Sequence, residues 1–217
     1  MSKKIGLLLV GCGVFDGTEI REATLAIMAL ETANVEIVYL SLNKTQHHVI
    51  NHNTQSEAKE MRNMLVESAR IARGPVYDLE EYDISQLDGL VVPGGFGVAK
   101  NACNFATSDK HYQLDKTVEK TLKALSEAKK PLGFACIAPV LAAKVFPGAQ
   151  LTIGSDPETI KALEKEGALH KLCAANEIAI CKQYKVVTTP AYMLDAPLSE
   201  IYKGFDAMIQ EVIRLTD

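Results

Sequence analysis

The chain has 217 residues, of which 47% are hydrophobic and 23% are charged. These values are ordinary for a globular protein with a large core, and the length predicts one domain over residues 1–217. The formal net charge is −4 and no long run of like charge occurs, which argues against nucleic acid or an anionic membrane surface as a partner.

In chain order, the hydrophobic pattern predicts a strand over residues 5–10, a helix over 18–31, a strand over 35–40, a helix over 57–73, a strand over 87–93, a helix over 114–128, a strand over 131–135 and a helix over 137–144. Weaker strand signals near Leu151, Ile178 and Val186 precede a last helix over 198–215. Strands that alternate with helices and are almost continuously apolar predict an α/β fold, with a mostly parallel sheet covered on both faces. The polar segment 41–57 holds three of the five histidines and indicates a functional loop or an insertion.

The cysteines and the N-terminal segment indicate the cellular compartment in which the protein is expected. The five cysteines are an odd number and widely spaced, which favours free thiols in a reducing compartment. None forms a C-x-x-C pair, so a structural zinc site is not expected. Residues 5–10 are too short for a signal peptide, and no run reaches the roughly 20 apolar residues of a membrane span. We therefore expect a cytoplasmic protein without a metal.

Three predicted strand ends are candidates for a ligand site, because ligands of parallel α/β sheets bind beyond the carboxyl ends of the strands. The first, over residues 11–19, resembles a dinucleotide-binding fingerprint with one residue too many, which favours a turn without a cofactor. Glu19 follows this turn, where a carboxylate that caps the next helix is the simple interpretation. The second end contains Gly94-Gly95, which is either a tight turn or a set of free N–H groups directed at an anion.

Cys136 marks the third strand end, where a buried strand meets a helix between the small residues Ala135 and Ala138. This arrangement resembles a nucleophile elbow, a sharp turn that exposes the side chain at the sheet edge. The following helix is expected to lower the pKa of the thiol. An inert buried cysteine is the alternative. Among the histidines, no pair has metal-ligand spacing, and His52 is the one worth testing.

The motifs of this chain together resemble the PfpI/ThiJ superfamily of class I glutamine amidotransferase relatives. Within it, the resemblance is to the ElbB family, also called enhancing lycopene biosynthesis proteins or isoprenoid biosynthesis proteins with amidotransferase-like domains. The motifs span nearly the whole chain and are GCGVFDGTEI at residues 11–20, VINH at 49–52, RN at 62–63, ESARIARG at 67–74, PGGFGVAKN at 93–101, CIAP at 136–139 and VTTPAYM at 187–193.

The resemblance implies a flavodoxin-like three-layer sandwich and a set of roles. Cys136 matches the nucleophile, and Glu19 the glutamate that hydrogen-bonds its thiol. The backbone N–H groups of Gly95 and Ile137 are expected to form an oxyanion hole. Gly94 and His52 are expected in the substrate pocket. Relatives have been assigned cofactor-free glyoxalase activity on small 2-oxoaldehydes, or protein and nucleotide deglycase activity, and are commonly homodimers.

One departure from the pattern of these relatives narrows the range of expected reactions. Amidotransferases and PfpI-type proteases carry a histidine directly after the cysteine or in a separate strand, whereas this chain has Ile137 at the first place and the residues TIGSD at 152–156 at the second. Hydrolysis of peptides or glutamine by a Cys-His-acid triad is therefore not favoured. A glyoxalase remains the first hypothesis, and a redox-sensing or metabolite-binding protein is the alternative. An amidotransferase that needs a partner subunit is the third.

Overall fold

Seven strands form the main sheet of the computed structural model, which describes residues 2–108 and 111–216. The strands within these described residues are, in chain order, β1 (Lys4–Leu8), β2 (Glu36–Ser41), β3 (Ile50–Asn51), β4 (Ser56–Glu57), β5 (Tyr77–Asp78), β6 (Gly89–Val92), β7 (Leu132–Ala135), β8 (Gln150–Leu151), β9 (Leu169–His170), β10 (Ala179–Cys181) and β11 (Val186–Thr189). The main sheet has the order β10-β11-β7-β6-β1-β2-β5. Its neighbours are parallel except β10 and β11, so the predicted mostly parallel α/β sheet is confirmed.

Helices cover both faces of this sheet, which makes the fold a three-layer sandwich. They are α1 (Ile20–Thr32), α2 (Met64–Ala72), α3 (Lys116–Glu127), α4 (Pro139–Val145), α5 (Pro157–Lys165) and α6 (Leu198–Arg214). Side chains of β1 alternate between the two cores: Leu8 packs on the α3 side, whereas Ile5 and Leu7 pack on the side of α1 and α6. Burial of both strand faces explains why the strands have almost continuous apolar sequences.

The helix predicted over residues 57–73 is shorter than expected at its start. Asn63 caps α2, since its side-chain oxygen accepts a hydrogen bond from the N–H of Val66 at 3.1 Å. Residues 56–57 belong instead to the hairpin of β3 and β4. Met61, which extended the apolar pattern, is 86% exposed. The cap residue therefore decides where this helix begins.

The weaker strand signals have different outcomes. The strand at Leu151 is present as β8, but it pairs with β9 in a small separate sheet. The strand near Ile178 is β10, the antiparallel edge of the main sheet. The one near Val186 is β11, which lies next to β7 in the main sheet. No helix within residues 2–108 and 111–216 is long and apolar enough to cross a membrane.

Candidate functional site

The three strand ends meet at one edge of the sheet, because β1, β6 and β7 are neighbours and run in the same direction. Backbone hydrogen bonds join the turns that follow these strands. The N–H of Phe96 donates to the carbonyl of Val14 at 2.8 Å, and the N–H of Glu19 donates to the carbonyl of Gly94 at 2.9 Å. The turn after β1 and the turn after β6 are therefore one connected unit beside Cys136.

Cys136 lies between β7 and α4 with a left-handed backbone, at φ 59°. Its N–H donates to the carbonyl of Thr189 at 3.1 Å, which continues the pairing of β7 with β11. A non-glycine residue in this region of φ costs energy that the surrounding structure must supply. The predicted strand-to-helix elbow is present, and 8% of the cysteine remains exposed at the sheet edge.

Glu22, in the first turn of α1, is the acid that contacts the thiol. Its carboxyl is hydrogen-bonded to Cys136 and is fully buried. It also accepts a hydrogen bond from the N–H of Gly94 at 2.7 Å and one from the N–H of Tyr192 at 3.2 Å. These contacts hold the carboxyl against the sulfur from two further segments of the chain.

Glu19 does not hold the position predicted for it. Its side chain caps α1 by accepting a hydrogen bond from the N–H of Glu22 at 2.6 Å. The expectation that Glu19 hydrogen-bonds the thiol is therefore corrected to Glu22. The reason is position: Glu19 is the N-cap residue of α1, where its partly exposed carboxyl bonds the first turn, whereas Glu22 lies within the helix on its buried face. Glu19 keeps an electrostatic influence on the buried acid.

The N–H groups of Gly95 and Ile137 both donate to the sulfur of Cys136. Gly95 has φ +105°, and a Cβ there would collide with the backbone of Glu19 and Gly17. Only glycine fits this close approach without strain. Both N–H groups predicted for an oxyanion hole therefore face the sulfur, while their catalytic role stays a prediction.

Burial dominates the electrostatics of the pair. It raises the pKa of Glu22 to about 7, with a further contribution from the negative charge of Glu19. Burial also raises the pKa of the Cys136 thiol well above its ordinary value, and the carboxylate of Glu22 adds to the rise. Hydrogen bonds from Gly95 and Ile137 oppose that rise without reversing it. The expected lowering of the thiol pKa by the helix is therefore wrong, because desolvation disfavours the thiolate.

A cavity of about 270 Å³ opens onto the thiol. Its apolar wall consists of Val14, Phe96, Phe105, Ile137 and Met193. The polar side chains that reach it are those of Glu19, Thr159 and Tyr192. We call this space the Cys136 cavity.

The two residues expected in the substrate pocket lie elsewhere. Gly94 does not line the cavity; it packs against Cys136 and Glu22, where a Cβ would collide with the cysteine. His52 lies in the β3–β4 hairpin, where its Nε2 accepts a hydrogen bond from the N–H of Phe15 at 3.3 Å. Its Nδ1 lies 2.9 Å from the carbonyl oxygen of Ile50. His52 therefore supports the turn after β1, because both ring nitrogens are engaged by backbone groups.

No histidine lines the Cys136 cavity within the part of the chain that the structure describes. The same ranges contain no group of three or more His, Cys, Asp or Glu side chains that could hold a metal ion. The groups that contact the thiol of Cys136 are the carboxyl of Glu22 and the N–H groups of Gly95 and Ile137.

Several residues of the site were missed from the sequence. Glu22 carries a usable signal, since it follows Glu19 by three positions in the first turn of a predicted helix. Tyr192 and Met193 lie within the motif at residues 187–193 that supported the resemblance. Phe105 and Thr159 have no signal in the sequence, because their segments reach the cavity only through the tertiary fold.

Comparison with known proteins places this arrangement in a family. No protein-family model matches the chain. It is 41% identical to the ES1 protein homolog, mitochondrial, of Rattus norvegicus over 98% of this chain and 84% of that protein. It is also 41% identical to the Glutamine amidotransferase-like class 1 domain-containing protein 3, mitochondrial, of Homo sapiens, over 98% of this chain and 83% of that protein.

Solved structures show the same fold. An isoprenoid biosynthesis protein with an amidotransferase-like domain from Ehrlichia chaffeensis has a TM-score of 0.92 and 34% identity, with all of both chains covered. DJ-1beta of Drosophila melanogaster has a TM-score of 0.61 at 19% identity, over 99% of this chain and 96% of the other. The second comparison supports the fold alone.

The names of the curated relatives contradict the expected cytoplasmic location. Both proteins above are named mitochondrial, as is the ES1 protein of Danio rerio, which is 32% identical over 98% of this chain and 86% of that protein. The expectation was wrong because unpaired cysteines indicate only a reducing compartment, and more than one compartment meets that condition.

The fold, the elbow and these identities have one common explanation. The chain belongs to the family of ES1 and glutamine amidotransferase-like class 1 domain proteins, which includes the isoprenoid biosynthesis proteins with an amidotransferase-like domain, and it has the DJ-1/ThiJ/PfpI fold.

Proposed function

We propose that this chain is a cofactor-free glyoxalase, which converts a 2-oxoaldehyde such as glyoxal or methylglyoxal, together with water, into the 2-hydroxy acid. The observation that carries the proposal is the buried carboxyl of Glu22 on the sulfur of Cys136, with two backbone N–H groups on the same sulfur. A nucleophile, a proton acceptor and donors to a developing oxyanion are the groups that this reaction needs.

The first step joins the substrate to the enzyme. The Glu22 carboxylate accepts the thiol proton, and the sulfur of Cys136 forms a bond to the aldehyde carbon as the C=O π bond breaks. The new oxyanion lies near the N–H groups of Gly95 and Ile137 and then takes the proton back from Glu22. The product is a neutral hemithioacetal. A carboxyl with a pKa of about 7 suits both directions of this transfer.

The next steps move hydrogen within the substrate. The Glu22 carboxylate removes the proton from the former aldehyde carbon to give an enediolate. The hydroxyl proton on the first carbon's oxygen passes to the oxygen of the neighbouring carbon, and Glu22 returns its proton to that neighbouring carbon. This leaves a thioester of the 2-hydroxy acid on Cys136. Water cleaves the thioester, which releases the acid and restores the thiol. Glu22 thus takes the role that the sequence suggested for Glu19.

The direct test measures lactate from methylglyoxal and glycolate from glyoxal. We expect Cys136→Ala to reduce product formation to the rate of buffer alone, since no other group of the cavity can form the thioester. Cys12→Ala is the matched control, because Cys12 is a free, partly exposed thiol that does not line the Cys136 cavity. Full activity of Cys136→Ala would refute the proposal.

A redox role of the same cysteine is the second candidate, and one observation favours it. A Glu22 carboxyl that is partly protonated near pH 7 can donate a hydrogen bond to an oxidised sulfur. Two peroxide molecules would each transfer one oxygen atom to the sulfur and leave as water, which yields the sulfinate. A stable sulfinate at Cys136 after mild peroxide, with kcat/KM for dicarbonyls far below about 10⁴ M⁻¹s⁻¹, would favour this candidate over the glyoxalase.

A further inference from the structure

We propose that the Cys136 cavity selects uncharged 2-oxoaldehydes that carry an aromatic or similarly bulky apolar substituent, and that it rejects anionic ones. This inference rests on the proposed aldehyde chemistry at Cys136 and names the substrate class of that site. Three features of the cavity support it: its size, its apolar wall and the sign of its charge.

The size exceeds what the smallest substrates need. At about 30 Å³ per water molecule, a cavity of about 270 Å³ has room for roughly nine waters. Methylglyoxal would fill only part of this space and leave water against an apolar wall. Phenylglyoxal, in which a benzene ring replaces the methyl group, would displace that water. Removal of apolar surface from water is the main source of affinity in such sites.

Two aromatic side chains of the wall are held in place before any substrate enters. Phe105 meets the ring of Tyr112 edge-on, at 5.1 Å between ring centroids. Tyr112 is in turn fixed by a hydrogen bond from its hydroxyl to the carbonyl of Val140 at 2.8 Å. Phe96 is held at its backbone, whose N–H donates to the carbonyl of Val14, and its ring is contacted by the ammonium group of Lys100. Walls that are ordered in advance cost less entropy when an aromatic substituent binds.

The charge of the cavity disfavours anions. Among the described residues that line it, none is a lysine or an arginine, and Glu19 contributes a carboxylate. Lys100 lies over the ring of Phe96, at 5.4 Å from its centroid, and donates to the carbonyl of Phe15 at 3.0 Å rather than lining the cavity. Arg21 lies over the ring of Tyr192, at 5.6 Å from its centroid, and interacts with the carboxylate of Glu19, but it does not line the cavity either. A carboxylate or phosphate on the substrate would therefore lose its hydration without gaining a cation from the cavity wall.

The experiment compares three substrates that share the reactive group. Initial rates give kcat/KM for phenylglyoxal, for methylglyoxal and for 4-carboxyphenylglyoxal, with the corresponding 2-hydroxy acids quantified as products. We expect phenylglyoxal to exceed methylglyoxal by at least about tenfold, the lower bound for a single additional methylene in an apolar pocket. We expect kcat/KM for 4-carboxyphenylglyoxal to be at least about tenfold below that for phenylglyoxal, because its carboxylate would be desolvated in a cavity whose wall has no cation.

Variants assign these preferences to residues. Phe105→Ala should lower the ratio of phenylglyoxal to methylglyoxal by about tenfold, whereas Tyr77→Ala should leave it unchanged. Tyr77 is the matched control, because it is an exposed aromatic residue on β5, at the opposite edge of the sheet from β10. Glu19→Gln should reduce the discrimination against 4-carboxyphenylglyoxal several-fold, since the amide removes the negative charge and keeps an oxygen for the helix cap.

Failure of this inference can be told apart from failure of the glyoxalase. Equal or better use of methylglyoxal, or use of 4-carboxyphenylglyoxal within threefold of phenylglyoxal, would overturn the inference while the glyoxalase stands. If no dicarbonyl yields product, the glyoxalase proposal fails and a binding assay decides the inference. In that assay, acetophenone should slow the alkylation of Cys136 by iodoacetamide more than 4-acetylbenzoate does, as followed by mass spectrometry. Equal protection by both compounds would overturn it.

Discussion

At the scale of single residues, the site depends on a carboxyl and a thiol that compete for one proton in a buried place. Glu22 has its pKa raised to about 7 by burial and by Glu19, so both of its protonation states are populated near neutral pH. The thiol of Cys136 has its pKa raised well above the ordinary value, so it holds its proton until the carboxylate accepts it. In the proposed reaction, the reactivity of Cys136 therefore depends on the protonation state of Glu22.

This dependence predicts a specific pH profile. For the wild type, kcat/KM with methylglyoxal should rise with pH and level off above about 7, because only the carboxylate of Glu22 accepts the thiol proton. Glu22→Gln should lose about 10² to 10⁴ in kcat/KM and should no longer show this rise. Glu19→Gln should move the rise to lower pH, since the Glu19 charge raises the pKa of Glu22. An unchanged profile in Glu22→Gln would contradict the assignment.

At the scale of elements, the site forms where backbone segments approach each other so closely that a residue with a Cβ would not fit between them. Glycine occupies these positions. The elbow at Cys136 needs Gly94 and Gly95 beside it, because a Cβ at either position would meet the cysteine or the turn after β1. The last helix, α6, has a similar close approach at a glycine that lies away from the Cys136 cavity. Gly204 of α6 faces β11 and the carbonyl of Ala175.

A substitution at Gly204 tests this packing. Alanine is the better helix former by about 1 kcal/mol, yet its Cβ would lie 2.6 Å from Oγ1 of Thr189 and against the carbonyl of Ala175. We therefore expect Gly204→Ala to lower the free energy of unfolding by about 1–3 kcal/mol in denaturant titrations. Gly74→Ala is the control, since no atom lies within 4 Å of its added Cβ. This substitution should change the free energy of unfolding by no more than about 1 kcal/mol. Equal effects of the two substitutions would show that packing at α6 is not the cause.

At the scale of the whole molecule, the buried acid ties the stability of the fold to pH. A carboxyl whose pKa rises on folding binds more protons in the folded state than in the unfolded one, so stability decreases as pH rises between the two values. For Glu22 this window runs from the ordinary value of 4.5 to about 7. Across this window the free energy of unfolding decreases by about 3 kcal/mol, because each pKa unit corresponds to about 1.4 kcal/mol.

The expected measurement is a difference between two proteins at two pH values. Between pH 5 and pH 8, the free energy of unfolding of the wild type should decrease relative to that of Glu22→Gln by roughly 2–3 kcal/mol. The comparison cancels the shared titrating groups whose pKa does not depend on the charge of Glu22. A difference that stays constant across this range would show that Glu22 does not titrate with a raised pKa.

Most of the architecture and the elbow at Cys136 were accessible from the sequence, because they depend on local patterns. Continuous apolar runs between helical patterns predicted the parallel sheet, and small residues around Cys136 predicted the elbow. The start of α2 was missed, since the apolar spacing continued through residues 57–61 while the Asn63 cap set the boundary. The prediction that His52 lies in the substrate pocket was wrong, because the course of segment 41–57 depends on tertiary contacts that direct this side chain to the backbone of Phe15.

The sequence by itself determined the alternation of strands and helices, and the three strand ends that could carry a site. The tertiary structure alone decided which acid touches the sulfur and in which direction the thiol pKa moves. Glu19 and Glu22 lie one turn apart on the same helix, and only the packing of α1 against the sheet directs the second one into the core. Burial also sets the pKa values, and burial is a property of the assembled fold that no local pattern contains.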